Sequence, residues 1–316
     1  MTGAAQAAGR EVLGSFWRGS VAWNEPLAKW TTLRVGGPAL ALVEPESLDQ
    51  VHQLLAGWQA SGLPWLVIGG GSNLLVSDRG FPGLVLVLGR KFGGIHAGGA
   101  DPEGRMLVEV AAGCRLARLV NWCQAQGLSG LEFAAGIPGS VGGAVIMNAG
   151  AWGGEIKDVL TALQGLLAGE VVEWSRRKLV FSYRSWQGPP GVVVLGATFA
   201  LNVGNSEQIR QVCQGHIRAR RSKQPRGAAS AGSFFKNPPG DYAGRLIEAC
   251  GLKGLTVGGA RVSEIHANFL VNTGGATAAD FLGLMRLVKR RVKEEFGVRL
   301  VPEVKIVGGG DELNEG

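Results

Sequence analysis

The sequence predicts an α+β chain of two or three domains, and three observations carry that prediction. At 316 residues the chain is longer than one ordinary core supports. An apolar strand, 64–68, runs straight into the cluster Gly69-Gly70-Gly71-Ser72-Asn73 with no helix signal after it. A change of texture near 202–206 separates a strand-rich half from a helix-rich one.

Taken in order, residues 1–26 read as a loose N-terminal arm, and 39–43 as a strand. Ser47-Leu48-Asp49-Gln50 is a capping box opening a helix with Leu48, Val51, Leu54, Leu55 and Trp58 on one face. Strands follow at 84–88 and 106–110. Leu116, Leu119, Val120 and Cys123 form the stripe of a helix closed by Gly127. Further strands fall at 159–166, 170–174 and 192–201. Beyond the boundary, 206–221 is a helix with Ile209, Val212, Cys213 and Ile217 inward and its arginines outward. Gly227–Gly232 reads as a flexible segment able to order over a ligand, and 242–250 as a short helix. Thr277-Ala278-Ala279-Asp280 caps a long helix with the stripe Phe281, Leu284, Val288, Val292 and Phe296, stopped by Gly297. Residues 298–307 alternate as a closing strand, and the acidic tail 308–316 is expected to be disordered.

Composition narrows the classes. The net charge of +7 is compatible with nucleic acid, an acidic surface or a phosphorylated small molecule. The densest basic run, Arg218 to Lys223, is short and ends a helix, which suits a phosphate pocket or a solvated helix end better than a nucleic-acid groove. Four cysteines show no C-x-x-C pair and no metal spacing with the histidines, so they read as reduced core residues of a cytoplasmic protein. The uncharged stretch Phe133–Gly154 is long enough to span a bilayer. Its seven glycines, with Pro138, Ser140 and Asn148, make a buried ligand-binding loop the expectation instead.

Glycine, at 52 residues, is more than twice its usual share of roughly 7%. A Rossmann crossover is excluded, because Gly69 opens no G-x-G-x-x-G and the strand at 84–88 begins too soon for an intervening helix. What remains is a nest of successive backbone N–H groups that wraps an anion. Gly136-Ile137-Pro138-Gly139-Ser140-Val141-Gly142-Gly143 reads as a second wrap, with Ser140 adding a hydroxyl. Either loop alone reads equally as a tight turn, and two in one half favour a phosphate-wrapping pair.

With both loops in view, the chain resembles the UDP-N-acetylenolpyruvoylglucosamine reductases (MurB). The resemblance runs from about Leu27 to Val307, on Thr32–Gly37, Gly69–Leu75, Gly136–Ala144 with Asn148–Gly150, and Tyr183-Arg184. It continues with Gly232–Pro238, Gly258–Ala260, His266–Asn268 and Pro302-Glu303-Val304. It implies an FAD-binding fold of the vanillyl-alcohol-oxidase (PCMH) type over 27–202 and a smaller C-terminal α/β substrate-binding domain over 203–300. Residues 301–307 would then return to the flavin. The short stretch after Arg184, without further tyrosines, resembles the family's second type, which lacks an extra tyrosine loop.

The resemblance further implies non-covalent FAD and NADPH as co-substrate, with hydride passing from flavin N5 to the enolpyruvyl group of a UDP-sugar. Neither glycine loop offers a histidine or cysteine for a covalent flavin link. Family cofactor contacts fall on Arg34, Gly69, Gly70, Gly71, Ser72, Asn73, Gly113, Gly136, Ile137, Pro138, Gly139, Ser140, Gly142, Gly143 and Asn148. Arg184 and Glu303 carry over as enolate stabilisers and Ser233 as the proton donor. A carboxyl beside an enolate must hold or share a proton, which implies burial of Glu303. Tyr183, Lys223, Lys236 and Asn237 match substrate contacts, and His266 is given no role. No nucleic-acid, membrane or obligate protein partner is expected. A sugar or alcohol oxidase on the same fold, or a binding protein that has lost its chemistry, is the competing reading.

Overall fold

The computed structural model describes residues 3–59 and 61–308. Its helices are α1 (Gly3–Phe16), α2 (Leu48–Gln59), α3 (Leu116–Ala125), α4 (Val141–Ile146), α5 (Ile156–Val159), α6 (Ser206–Lys223), α7 (Ala243–Ala249) and α8 (Ala278–Phe296). Among the described residues no helix is long and apolar enough to cross a membrane. The expected tail lies outside the described residues beyond Gly308.

The first sheet orders its strands Ala22–Trp23, Ala39–Val43, Phe81–Val87 and Trp65–Ile68, the last three parallel. Every residue of Ala39–Val43 is buried, as a parallel strand covered on both faces requires. Trp65–Ile68 and Phe81–Val87 are parallel neighbours joined without a helix. The chain between them carries the first glycine loop and Leu74–Val76, which leaves the sheet to pair with Lys305–Val307. The second sheet is antiparallel, in the order Glu170–Ser175, Leu160–Leu167, Val193–Val203, Met106–Ala111, Ile95–Ala100. A third antiparallel sheet, Ala229–Ser233, Phe269–Asn272, Ala260–Val262, Thr256–Val257, belongs to the C-terminal half.

One large core fills the space between the first two sheets and α1–α3. The C-terminal core is built on Phe234, stacked on Phe281 with ring centroids 5.6 Å apart, and on the buried face of α8. It also draws in Leu33, Val35 and Leu75 from the N-terminal half. Hydrogen bonds fasten the halves together: Thr32 Oγ1 donates to Ser230 O (2.6 Å) and Asn272 Nδ2 to Leu33 O (3.1 Å). The carboxylate of Asp78 takes the N–H groups of Ala278 and Ala279 at 2.8 and 2.9 Å. An anion there meets the positive end of α8, so a residue that reads as a turn former also caps a helix across the halves.

Several expectations need correction. The loose arm is largely a helix: Leu13 and Trp17 bury against the first core, and α1 passes so close to it that a Cβ on Gly9 would lie 2.9 Å from Leu40. Its alanines and glycines leave too little apolar periodicity to show. The segment Gly227–Gly232 is not free, because Ala229–Ser233 is hydrogen-bonded along Phe269–Asn272. Only Lys305–Val307 of the closing segment is a strand; Pro302, which lacks an N–H, makes a single bridge to Phe235. Val212 and Phe296 are exposed, and Arg220 faces inward. Ser47 does cap α2 through Gln50 N–H, but Gln50 returns its bond to Glu46 N–H rather than to Ser47.

Because Leu13 is buried on α1, Leu13→Ala should cost about 2–4 kcal/mol in urea unfolding. A loss below about 0.5 kcal/mol, the size for an exposed arm, contradicts the packing.

Candidate active site

The two glycine loops lie against each other at the end of the first sheet. A Cβ on Gly70 would stand 2.6 Å from the Gly139 Cα, and one on Gly69 would stand 2.1 Å from the Ser140 hydroxyl. Gly71 has φ +59 and would press a Cβ onto Trp30 O. Only glycine fits there. Ser72 Oγ donates to Pro138 O at 3.2 Å, tying one loop to the other. Ser140 caps α4 by accepting Gly143 N–H (3.3 Å), and Gly142 packs on Ala112.

Among the described residues, the backbone N–H groups of Gly69, Gly70, Gly71, Ser72, Asn73, Gly136, Gly139 and Ser140 have no partner within the protein. That is a bank of donors on two touching loops, the arrangement a diphosphate needs. These residues fit the diphosphate of a dinucleotide. Ile137 turns its N–H back to Ala134 O and so adds shape rather than a donor. Gly113 occupies a tight turn where a Cβ would meet Leu88 O at 2.3 Å. Arg34 is exposed at φ +57, on the turn whose Thr32 N–H bonds Gly71 O at 3.0 Å. Asn148 is fully buried at φ +40, and its amide is taken up by the protein. It donates to Glu155 (3.0 Å) and Ser182 O (3.2 Å) and accepts from Lys157 N–H (3.1 Å).

Asn73 joins the first loop to the end of the chain. Its Nδ2 donates to Glu303 O at 3.1 Å, and its carbonyl accepts Lys305 N–H at 3.0 Å. Glu303 N–H in turn bonds Phe234 O at 2.8 Å, which sets the backbone of Glu303 beside that of Ser233 and Phe234. Lys236 N–H bonds Val301 O one step further along. The Phe234–Lys236 turn is held from below by Asn268, whose amide bonds both N–H and C=O of Phe235. Asn268 N–H is itself received by His266 Nδ1 at 3.2 Å. Burial holds His266 below the usual histidine range, so it acts as a neutral acceptor in this support.

Arg184 comes from the turn after Phe181–Ser182 and stands at φ +58. Its Nη2 donates to Gly150 O (3.0 Å), its Nε lies 3.3 Å from Glu303 Oε1, and its Nη1 lies 3.9 Å from Glu155 Oε1. Burial pushes the Glu303 carboxyl above the usual carboxylate range, and Arg184 and Lys236 pull it back only in part. Tyr183 lies alongside, with the guanidinium 4.8 Å from its ring centroid.

Arg184, Glu303 and Lys236 are thus brought together, and Ser233 directly precedes Phe234, whose carbonyl takes the Glu303 N–H. Asn237 is exposed and accepts Ala243 N–H at 3.1 Å. Lys223 is exposed at the end of α6, outside the cluster. Two neighbours were not read from the sequence. Glu155 had no signal beyond its place after a glycine pair. Arg220, half-buried and held below its usual range by desolvation and then by Arg184, had one: it continues the 209–213–217 inward spacing.

The match to known proteins decides the family. Residues 39–175 match an FAD binding domain, and residues 224–307 match the UDP-N-acetylenolpyruvoylglucosamine reductase C-terminal domain. The reductase of Geotalea uraniireducens is 45% identical over 92% of this chain and 95% of its own length. That of Geobacter sulfurreducens is 46% identical over 92% and 95%. The chain belongs to the UDP-N-acetylenolpyruvoylglucosamine reductase family. A crystal structure of the family's enzyme from Thermus caldophilus superposes with a TM-score of 0.76 at 40% identity, covering 92% of this chain and 99% of that one. As a family member this chain is a flavin oxidoreductase, with an FAD-binding domain joined to the family's C-terminal domain.

Two measurements follow from the geometry. Gly70→Ala should weaken FAD binding roughly 5–150-fold, the equivalent of about 1–3 kcal/mol of overpacking, with far-ultraviolet dichroism retained; unchanged flavin affinity contradicts the loop contact. The raised carboxyl of Glu303 contributes stability at low pH that is lost as pH rises through its folded value. Glu303→Gln should therefore gain in urea stability relative to the unchanged chain from acid to neutral pH, and a flat or reversed difference counts against the burial.

Proposed function

We propose that the chain reduces UDP-N-acetylglucosamine enolpyruvate to UDP-N-acetylmuramate for peptidoglycan precursor synthesis, with FAD held non-covalently and NADPH as the reductant. The observation that carries this reading is the approach of Arg184 to a half-buried Glu303, whose backbone bonds the residue after Ser233, next to a two-loop bank of unpaired N–H donors.

When bound, FAD supplies the hydride, drawn from NADPH, that reduces the enolpyruvyl double bond. The free N–H groups of Gly69–Asn73, Gly136, Gly139 and Ser140 would hold its diphosphate, and Asn73 ties the first loop to Glu303. Arg184 receives the carboxylate of the enolpyruvyl group, because a guanidinium offers paired donors and keeps its charge. Hydride addition leaves negative charge on the carbon next to that carboxylate. Glu303, carrying its proton, donates to the developing enolate rather than repelling it. Lys236 adds positive charge on the same side.

Ser233 gives the proton that completes the product. Its hydroxyl has no partner among the described residues, which leaves its hydrogen free to transfer. Tyr183, Lys223 and Asn237 serve the sugar and diphosphate end. Lys223 lies three residues beyond Arg220 on the helix that carries the basic run, and Asn237 follows the turn that Asn268 supports.

Anaerobic stopped-flow separates the steps. NADPH should reduce the bound flavin, and UDP-N-acetylglucosamine enolpyruvate should reoxidise it in stoichiometric amount. Ser233→Ala should leave the first step intact and slow the second about 10²–10⁴-fold. Normal rates in both steps would remove Ser233 from the reaction, and no reoxidation by this substrate in the unchanged enzyme would remove the substrate assignment.

A further inference from the structure

Arg184 is held by three groups at once, and two of them are carboxylates of different standing. Glu303 is half-buried and approaches Nε at 3.3 Å. Glu155, at Nη1 and 3.9 Å, belongs to a separate network. Lys157 Nζ lies 2.6 Å from the other Glu155 oxygen, Oε2, which also receives the Asn148 amide at 3.0 Å. Glu155 N–H donates to the Asp158 carboxylate at 2.8 Å.

The same short hairpin, Gly150–Ala151 with Gly154–Glu155, supplies both the Gly150 carbonyl and the Glu155 carboxylate. It is pinned to α6 at its tip, where Trp152 stacks on His216 with centroids 5.1 Å apart and planes within 10°. His216 is fixed in turn by a 2.9 Å bond between Nδ1 and Glu132 O. A hairpin anchored in this way presents two acceptors to the terminal nitrogens of one guanidinium, while Glu303 meets its Nε.

We propose that Glu155 is a positioning residue of the reduction: it orients the guanidinium of Arg184 and competes with Glu303 for its charge. This rests on the proposed role of Glu303 as a proton-bearing donor to the enolate. An arginine paired with Glu303 alone would draw that carboxyl toward its anion, which could not donate. With Glu155 sharing the guanidinium, the charge is divided, and Glu303 keeps its proton. The protonation balance agrees. Burial by itself raises Glu155, yet the bonds from Lys157 and Asn148 and the charges of Lys157 and Arg184 outweigh it and hold Glu155 below the usual range. Glu303, with fewer donors and more burial, moves the opposite way.

The charges that face these groups come from several elements. Arg184 is met by Glu155, Glu303 and the Arg220 of α6. Glu155 is met by Lys157 and Asp158 of α5 and by Arg184, with Arg176 acting on Lys157. Glu303 is met by Arg184 and Lys236. Removing Glu155's charge and removing Lys157's charge should therefore shift Glu303 in opposite directions, whereas a loss of structure would move both variants alike.

The test is an infrared titration of the FAD-loaded enzyme, following the carbonyl stretch of a protonated carboxyl that disappears in Glu303→Gln. The pH dependence of flavin reoxidation by the enolpyruvyl substrate is recorded in parallel. Glu155→Gln should bring the loss of that band, and the high-pH fall of the reoxidation rate, down by roughly half a unit to one unit. Lys157→Met should move both up, and it keeps the proposal testable if Glu155→Gln does not fold. Midpoints that stay put, or that move the same way in both variants, overturn the role of Glu155 alone. If the unchanged enzyme shows no such band, the proton-bearing role of Glu303 fails, and the role of Glu155 falls with it.

Discussion

The structure depends on the return of the chain's end to its beginning. Lys305–Val307 pairs in parallel with Leu74–Val76, directly after the first glycine loop, and Asn73 closes the junction on Glu303. Without that return, Glu303 would be a residue of the C-terminal half with no relation to the glycine loops. With it, the backbone of Glu303 is fixed on both sides, by Asn73 from the loop and by Phe234 from the C-terminal sheet. The Asp78 cap on α8 and the Thr32–Ser230 and Asn272–Leu33 bonds hold the same two halves at neighbouring points. Much of the inter-half polar bonding thus serves to keep one carboxyl beside the loops.

Electrostatics then divides the labour among charged groups. Two carboxylates share one guanidinium, and their surroundings push them apart: Glu155 has a lysine and an amide, whereas Glu303 has burial. Chemically identical side chains are thus shifted in opposite directions. The positive backbone angle of Arg184 belongs to this arrangement, since it turns the residue back toward the Gly150–Glu155 hairpin. Strain of this kind persists where the surroundings hold it in place, and here three acceptors do so.

Much of this was legible in the residues. The helices with strong apolar stripes were read within a few residues, because burial of one face imposes a period, and the antiparallel strand at 193–203 was legible from a continuous apolar run that is buried on both faces. The glycine loops announced themselves by composition, and the missing helix after Gly71 excluded the crossover fold. Other features left no local trace. The helix α1 is rich in alanine and glycine, and it is held by Leu13 and Trp17 against a core assembled from distant segments. The strand Ala229–Ser233 has a loop-former's composition and is extended only because Phe269–Asn272 pairs with it. Glu155 and Asn73 act through contacts with residues remote in sequence, 184 and 303, and no spacing rule encodes those. Arg220 was available from helical periodicity and was passed over because a basic run suggests an outward face.

A crystal structure of the chain with FAD and the enolpyruvyl UDP-sugar tests the convergence most directly. The diphosphate of FAD should lie on the N–H groups of Gly69–Asn73, Gly136, Gly139 and Ser140, with the enolpyruvyl carboxylate on Arg184 and its double bond between Ser233 and Glu303. A substrate carboxylate bound away from Arg184, or an FAD diphosphate held elsewhere than on the two loops, would contradict it.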